Sequence, residues 1–173
     1  MVLSTIDRLG AVSVKQLHEI LRLGSYRTTC RVVNQLEEFL HVDRTKQKVV
    51  YLNKEGRRFI GSNKEVKKSP LFEHMLLLNE VYIHYNCPAT WKREHVISIH
   101  QDPVYSFQIQ VKGLSIKSEM KLIVDAIFER NGYTYLIEVD NKSPMTENRK
   151  KIKKYIEHWS TIRKQYQNPR LCI

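Results

Sequence analysis

Residues 121–142, KLIVDAIFERNGYTYLIEVDNK, decide the fold of the second half of this chain. Two runs rich in β-branched and aromatic residues, 122–130 and 133–140, flank the dipeptide Asn131-Gly132. A two-residue hairpin turn needs positive φ angles at both of its central positions. The dipeptide Asn-Gly adopts such angles readily, so it suits this turn. The segment therefore predicts a β-hairpin, in which two antiparallel strands are joined by a tight turn.

The turn also fixes which side chains face each other. Counting back from it along both strands places Asp125 directly opposite Glu138. Side chains alternate between the two faces of a strand, so Asp140 and Lys142 share the face of Glu138. We therefore expect three carboxylates and an amine to converge at one end of the hairpin.

Such a cluster needs a compensating positive charge. Two carboxylates about 5 Å apart repel by about 3 kcal/mol at an effective dielectric constant of about 20. One hypothesis is a Mg²⁺ or Mn²⁺ centre for phosphodiester hydrolysis, with Asp125 and Glu138 as metal ligands and Asp140 assisting. Lys142 or Lys150 then polarises the attacking water. The alternative is an ordinary solvated polar face on a half-buried strand.

Composition restricts the class of protein. The chain has 173 residues, of which 42% are hydrophobic, and a net charge of +11, which favours a polyanionic partner such as nucleic acid. It has no apolar run near the roughly 18 residues of a membrane span and no signal sequence, so we expect a cytoplasmic protein that does not contact membranes. Its three cysteines form no CxxC pair, which argues against a disulfide framework and against a Cys-rich zinc site.

Residues 1–60 show two helix starts followed by two short strands. Ser13 and Gln16 form a capping-box pattern, so a helix should begin at Val14, and Ser25 can cap a second helix. Strands are predicted at 40–44 and 48–52. The second helix should expose a polar face that suits phosphates and base edges, and the hairpin tip is basic. These candidate DNA-binding residues are Tyr26, Arg27, Thr28, Arg31, Asn34, Gln35, Arg44, Lys46 and Lys48.

This arrangement resembles a winged helix-turn-helix domain that binds double-stranded DNA. Residues 1–60 contain 11 Lys and Arg against 6 Asp and Glu, a net charge of +5, and the excess falls on the predicted helix face and hairpin tip. The alternative is a small α+β module that packs against the second domain and binds nothing.

Residues 61–70, GSNKEVKKSP, are polar and predict a linker to a second domain at 71–173. That domain should contain a helix at 71–85, strands at 91–99 and 105–111, the hairpin, a helix opened by Ser143-Pro144, and a strand from Arg170. We expect the second helix to bury one apolar face. The residues of that face are Ile152, Tyr155, Ile156, Trp159 and Ile162.

The predicted order αβββαβ resembles the PD-(D/E)xK nuclease-like superfamily, so the chain is expected to combine two α+β or α/β domains. That motif needs an acid, then an acid-x-Lys. Asp125 supplies the first acid. Glu138-Val139-Asp140 places an aspartate where the lysine belongs, whereas Asp140-Asn141-Lys142 supplies the full pattern but not directly opposite Asp125. The hairpin register favours the first reading, which argues against catalysis.

The whole chain is similar to the replication-relaxation proteins of Gram-positive plasmids and other mobile elements. The features that carry the resemblance are the winged helix, an apolar helix with His74, the strings VDAIF and YLIEVDNKS, and Lys154-Tyr155 in the last helix. The resemblance implies a DNA-binding protein in plasmid replication, DNA relaxation or mobilisation. Replication or mobilisation proteins and a second copy of the chain are then candidate partners.

Three functional hypotheses follow. The first is a non-catalytic DNA-binding protein, for which no cofactor is required. The second is a Mg²⁺- or Mn²⁺-dependent endonuclease or nickase that uses Asp125, Glu138, Asp140 and Lys142. The third is a transcriptional repressor whose second domain only dimerises. We favour the first.

Overall fold

The computed structural model describes residues 1–100, 119–141 and 144–173. The predicted strand at 105–111, Lys142 and Ser143 lie outside the described residues. The described part of the chain has six α-helices and two β-sheets, which confirms an α+β fold. It divides into two compact units, Met1–Cys87 and Pro88–Ile173.

The first unit begins with helices and a small sheet. Its helices are α1 (Val2–Leu9), α2 (Val14–Leu21), α3 (Tyr26–Gln35), α4 (Lys54–Ile60) and α5 (Leu71–His84), and its strands are β1 (Val12–Ser13), β2 (Leu40–Asp43) and β3 (Val49–Leu52). The three strands pair antiparallel in the order β1-β3-β2. A short 3₁₀ helix, Glu37–Phe39, joins α3 to β2.

Local sequence signals set the beginnings of these helices. The side chain of Ser13 accepts from Gln16 N at 3.1 Å, and Gln16 Oε1 accepts from Ser13 N at 3.1 Å, which completes the predicted capping box of α2. Ser25 caps α3 as predicted. Helix α2 ends at Leu21, and Arg22, which follows it, takes the left-handed conformation at φ 46°.

Helix α5 packs on the first unit rather than opening the second. The buried amide of Asn79 donates to the Ala11 carbonyl at 2.9 Å, and Phe72 shares a core with Ala11 and Val49. Residues 62–68, within the predicted linker, have no helix or strand, and the two compact units divide after Cys87. Apolar periodicity showed that this helix buries a face but could not show against which partner.

The second unit runs β4 (Lys92–His100), β5 (Glu119–Arg130), β6 (Tyr133–Ile137), α6 (Met145–Gln165) and β7 (Arg170–Cys172). Its strands lie in the order β4-β5-β6-β7, with β7 parallel to β6 and the other pairs antiparallel. The helix predicted to open this domain is present as α5 but falls in the other unit, and the strand predicted at 105–111 lies outside the described residues, so the αβββαβ order stays a prediction.

The hairpin has the predicted turn and register. Asn131 and Gly132 have φ angles of 51° and 75°, and Arg130 pairs with Tyr133. The same count continues to Ala126 opposite Ile137, so the next step sets Asp125 beside Glu138. The end of the second strand differs, because β6 stops at Ile137 and not at Asp140.

Helix α6 covers the sheet with a narrower apolar face than predicted. Tyr155 and Ile162 are buried in the core and Trp159 packs against it. Ile156, in contrast, is 71% exposed and Ile152 is 37% exposed. The prediction that all five apolar residues of this face are buried is therefore wrong for Ile156, because the sheet contacts a narrower stripe of the helix.

Candidate functional site

The first candidate site is the exposed face of α3. Thr29 and Val33 are buried, and this orients Arg27, Arg31, Asn34 and Gln35 to solvent. Tyr26 is 50% exposed and Thr28 is partly exposed. A groove of about 630 Å³ follows this face and is lined by Ser25, Arg27, Thr28, Cys30, Arg31, Asn34 and Gln35. All six residues predicted on α3 are thus accessible to a ligand.

The β2–β3 hairpin extends the same surface. Lys48 Nζ donates to Asn34 Oδ1 at 2.7 Å, which links the loop of the hairpin to α3. Arg44 and Lys46 are exposed at the tip, and Lys46 forms an ion pair with Glu73 at the start of α5. The α3 face and the hairpin with Arg44, Lys46 and Lys48 are called the basic surface below.

A second set of contacts orders the hairpin tip. The Thr45 hydroxyl donates to Asp43 Oδ1 at 2.6 Å, and Lys68 Nζ lies 3.1 Å from the same oxygen. The Thr45 hydrogen bond, followed by the one from Lys68, lowers the pKa of Asp43 to about 2. Asp43 is therefore ionised at neutral pH, and its charge is paired with that of Lys68, which lies in the segment before α5.

The second candidate site lies where β6 ends, under α6. Glu138 is only 4% exposed, although it is a carboxylic acid. Tyr155 donates its hydroxyl to Glu138 Oε1, and Lys151 Nζ forms an ion pair with Glu138 Oε2. Asp125 accepts from Val139 N at 2.8 Å, and the same Oδ2 atom lies 3.9 Å from Lys151 Nζ. Asp125, Glu138, Lys151 and Tyr155 are called the carboxylate cluster below.

Burial dominates the electrostatics of this cluster. Loss of water raises the pKa of Glu138 to about 7, against hydrogen bonds from Lys151 and Tyr155 that lower it, while Asp125 raises it further. Burial, with the hydrogen bond to Glu138, also raises the pKa of the Tyr155 phenol. The phenol is therefore a hydrogen-bond donor at any ordinary pH, and Glu138 changes its charge near neutrality.

Asp125 sits at an irregular step of the sheet. The pairing of β4 with β5 includes Arg93 opposite Ala126 and His95 opposite Val124 but omits Glu94 opposite Asp125. Glu94 has a positive φ of 49°, a conformation that costs a non-glycine residue about 1–3 kcal/mol. The regular ladder is thus interrupted next to the carboxylate cluster.

The predicted residues of this site do not all come together. Asp125 and Glu138 meet as predicted, whereas the exposed Asp140 accepts a hydrogen bond from Asn148 on α6. Lys142 lies outside the described residues, and Lys150 Nζ pairs with Glu147 Oε1 at 2.8 Å. The catalytic roles of Asp125, Glu138, Asp140 and Lys142 stay predictions.

Sequence reasoning missed the contacts that Lys151 and Tyr155 make with Glu138. Tyr155 was assigned to the apolar face, and Lys151 was not singled out among the basic residues of α6. Their spacing of four residues is a signal that was available, because it places both side chains on one face of a helix. When a strand ends in acidic residues, the helix that follows it should be searched for a lysine and a tyrosine four residues apart.

The cluster does not fit a preformed divalent-metal site. Mg²⁺ sits about 2.0–2.1 Å from its ligand oxygens, yet Glu138 forms an ion pair with Lys151 and accepts a hydrogen bond from Tyr155, and Asp125 accepts one from Val139 N. Among the described residues, no group of three His, Cys, Asp or Glu side chains is arranged to hold a metal ion.

Within the described ranges, none of the helices combines the length and apolar character that crossing a bilayer requires.

Comparison with known proteins gives one match. No curated protein and no solved structure matches this sequence. The replication-relaxation family model does match, over residues 3–171, which is nearly the whole chain and includes both the basic surface and the carboxylate cluster. The protein belongs to the replication-relaxation family.

Proposed function

We propose that this protein binds double-stranded DNA through the basic surface and acts in the replication or relaxation of a plasmid or other mobile element. The first unit is proposed to be a winged helix-turn-helix domain, with α3 as the recognition helix and the β2–β3 hairpin as the wing. Duplex DNA is the proposed partner, and a bacterial cytoplasm is the proposed location.

One observation carries the proposal. The hydrogen bond of 2.7 Å from Lys48 to Asn34 holds the hairpin beside the polar face of α3, so that both offer donors to one ligand. Arg27 and Arg31 are exposed on that face, and α3 itself contains no acidic residue. Arginine, asparagine and glutamine at such positions donate to phosphates and pair with base edges in the major groove.

The order of the elements supports the same reading. Helices α1, α2 and α3 precede the hairpin β2–β3, and β1 adds a third strand to the hairpin. This order is typical of winged helices, in which the helix before the hairpin enters the groove and the hairpin contacts the backbone. The family to which the chain belongs is named for replication and relaxation, processes that act on DNA.

For the second unit we propose a supporting role without hydrolysis. Its carboxylates are bonded to groups of the same unit, and Lys151 contacts both of them. Additional phosphate contacts from the basic residues of α6, self-association into a homodimer and contacts with replication or mobilisation proteins are the roles proposed for it.

The first test is the salt dependence of binding to a random-sequence duplex, measured by fluorescence anisotropy. Several phosphate contacts release several counterions, so affinity should fall by more than about 10-fold between about 50 and about 200 mM salt. A smaller loss contradicts binding through the basic surface as a whole.

The second test locates the contact. Arg31→Ala should weaken binding by about 1–3 kcal/mol, or about 5- to 150-fold, because one charge-assisted contact to DNA is lost. Arg58→Ala is the matched control, since Arg58 is an exposed arginine on α4 of the same unit. Equal effects of the two substitutions would show that net charge, and not the α3 face, governs binding.

A further inference from the structure

The carboxylate cluster contains two acids and one lysine that reaches both. Lys151 Nζ forms an ion pair with Glu138 and lies 3.9 Å from Asp125 Oδ2. We infer that the ammonium group of Lys151 is the resident cation of the Asp125–Glu138 pair and occupies the place that a divalent metal ion takes between paired carboxylates. The second unit therefore keeps these acids compensated without a metal.

The hydrogen bonds to the carboxylate oxygens support this inference. Glu138 Oε1 accepts from the Tyr155 hydroxyl and Oε2 contacts the Lys151 ammonium, so both oxygens of this carboxyl are engaged. Asp125 Oδ2 accepts from Val139 N at 2.8 Å on the side that faces the lysine. A metal ion at a bonding distance of about 2 Å would have to displace the ammonium group from these oxygens.

Helix α6 supplies both side chains that contact Glu138, and its geometry lets them do so at the same time. Lys151 and Tyr155 are four residues apart on α6, so their side chains lie on one face, one turn apart. Tyr155 is 1% exposed and fully packed in the core, and its position fixes the rotation of α6 about its axis. With that rotation fixed, Lys151 is directed at the acids, and this is why a lysine in this helical position compensates residues on the sheet.

A second basic side chain contributes to the electrostatics near Asp125. Burial lowers the pKa of the partly buried Arg93 on β4, whereas the charges of Glu94 and then Asp125 raise it. The charge of Asp125 therefore also interacts with a cation of the sheet, in addition to Lys151.

The inference predicts that removal of Lys151 creates a binding site for a divalent metal ion. Lys151→Ala removes the shared cation of the two carboxylates. It also removes a contact that lowers the pKa of Glu138, so the titration is run well above pH 7, where a proton competes less with the metal ion. Small divalent cations that prefer oxygen ligands, such as Mg²⁺ and Mn²⁺, are the chemical class that fits the two carboxylates. The variant should therefore bind Mn²⁺ at least about 10-fold more tightly than the natural chain does.

The experiment uses the full chain and Mn²⁺ alone as the probe. Free Mn²⁺ is measured by electron paramagnetic resonance during titration of the natural protein, Lys151→Ala and the double variant Lys151→Ala with Asp125→Asn. Lys153→Ala is the matched control, because it removes an exposed lysine from the same helix whose partner is Glu157, at 3.8 Å. Circular dichroism establishes that each variant is folded.

We expect one saturable Mn²⁺ site per chain in Lys151→Ala, and no such site in the double variant, in Lys153→Ala or in the natural protein. A saturable site in the natural protein that Asp125→Asn removes would overturn the inference, as would a folded Lys151→Ala that binds no more Mn²⁺ than the control. If Lys151→Ala does not fold, Lys151→Gln takes its place with the same expectations, and the titration of the natural protein decides by itself.

Discussion

The basic surface and the carboxylate cluster differ in the groups that satisfy their polar side chains. On the basic surface, Arg27 and Arg31 are exposed and point to solvent from a helix that carries no acids. In the carboxylate cluster, Glu138 is 4% exposed and both of its oxygens contact side chains of α6. Both sites were predicted from residue type and spacing, yet only the first leaves its donors available to another molecule.

The difference teaches that charge alone does not identify a binding site. A buried charge must be compensated inside the protein, because removal from water costs several kcal/mol per ion. An exposed charge is solvated by water, which a ligand can replace at little cost. The cluster therefore contributes to the structure of the second unit, whereas the basic surface is suited to recognition.

The largest expected effect concerns the carboxylate cluster, the buried one of the two sites. It is a change in the free energy of unfolding with pH. The pKa of Glu138 is about 7 in the folded protein, against an ordinary value of 4.5. The folded state therefore holds an extra proton between these values, and the free energy of unfolding should fall by up to about 3 kcal/mol as pH rises from about 4.5 to about 7. Below that window this contribution is fully present, and above it the contribution is lost.

Urea unfolding followed by tryptophan fluorescence measures this effect, because Trp91 and Trp159 both lie in the second unit and are the two tryptophans of the chain. Glu138→Gln removes the titrating group and should flatten the pH dependence within the window. If the free energy of unfolding of Glu138→Gln falls as steeply with pH as that of the natural protein, another residue causes the effect.

The next effect concerns the hydroxyl group of Tyr155. Tyr155→Phe leaves a buried carboxyl oxygen of Glu138 without its donor, which should lower the free energy of unfolding by about 1–3 kcal/mol. Tyr133→Phe is the control, because Tyr133 is partly exposed and its ring, not its hydroxyl, stacks with Arg170 at 4.0 Å. That control should change stability by less than about 0.5 kcal/mol. If Tyr155→Phe and Tyr133→Phe lower the free energy of unfolding equally within error, the distinction between buried and exposed polar groups is contradicted.

The smallest expected effect concerns the basic surface, the exposed one of the two sites. It is a change in affinity for DNA. Glu73 pairs with Lys46 at the hairpin tip. If the basic surface binds DNA as proposed, Glu73 competes with the DNA phosphates for this ammonium group. Glu73→Gln should therefore raise DNA affinity by about 2- to 5-fold, since an exposed ion pair contributes at most about 1 kcal/mol. Glu55→Gln removes the same charge from an exposed position on α4 and controls for net charge. Equal gains in both variants would remove any special role for the Lys46–Glu73 pair.

Several features could be predicted because they depend on neighbouring residues. Asn131-Gly132 specified the turn, and the turn specified the register that sets Asp125 beside Glu138. Ser13 and Gln16 specified the start of α2 in the same way. The exposure of Arg27 and Arg31 followed from the buried positions of Thr29 and Val33 on α3.

Other features could not be predicted because they depend on contacts between distant segments. The apolar residues of α5 indicated a packed helix, but the amide of Asn79 bonds to Ala11, 68 positions earlier in the chain. The same limit applies to α6, where Ile156 fits the apolar pattern and is nevertheless 71% exposed. A periodic pattern shows that a face is apolar but does not show how wide its partner is.

The sequence by itself determined the hairpin, the helix starts, the exposed polar face of α3 and the meeting of Asp125 with Glu138, since each depends on alternation or capping within a short segment. Only the tertiary structure decided that α5 belongs to the first unit and that Lys151 and Tyr155 bind the acids. The physical reason is that burial and charge compensation depend on which distant side chains surround a group, and these neighbours are set by packing of the whole unit.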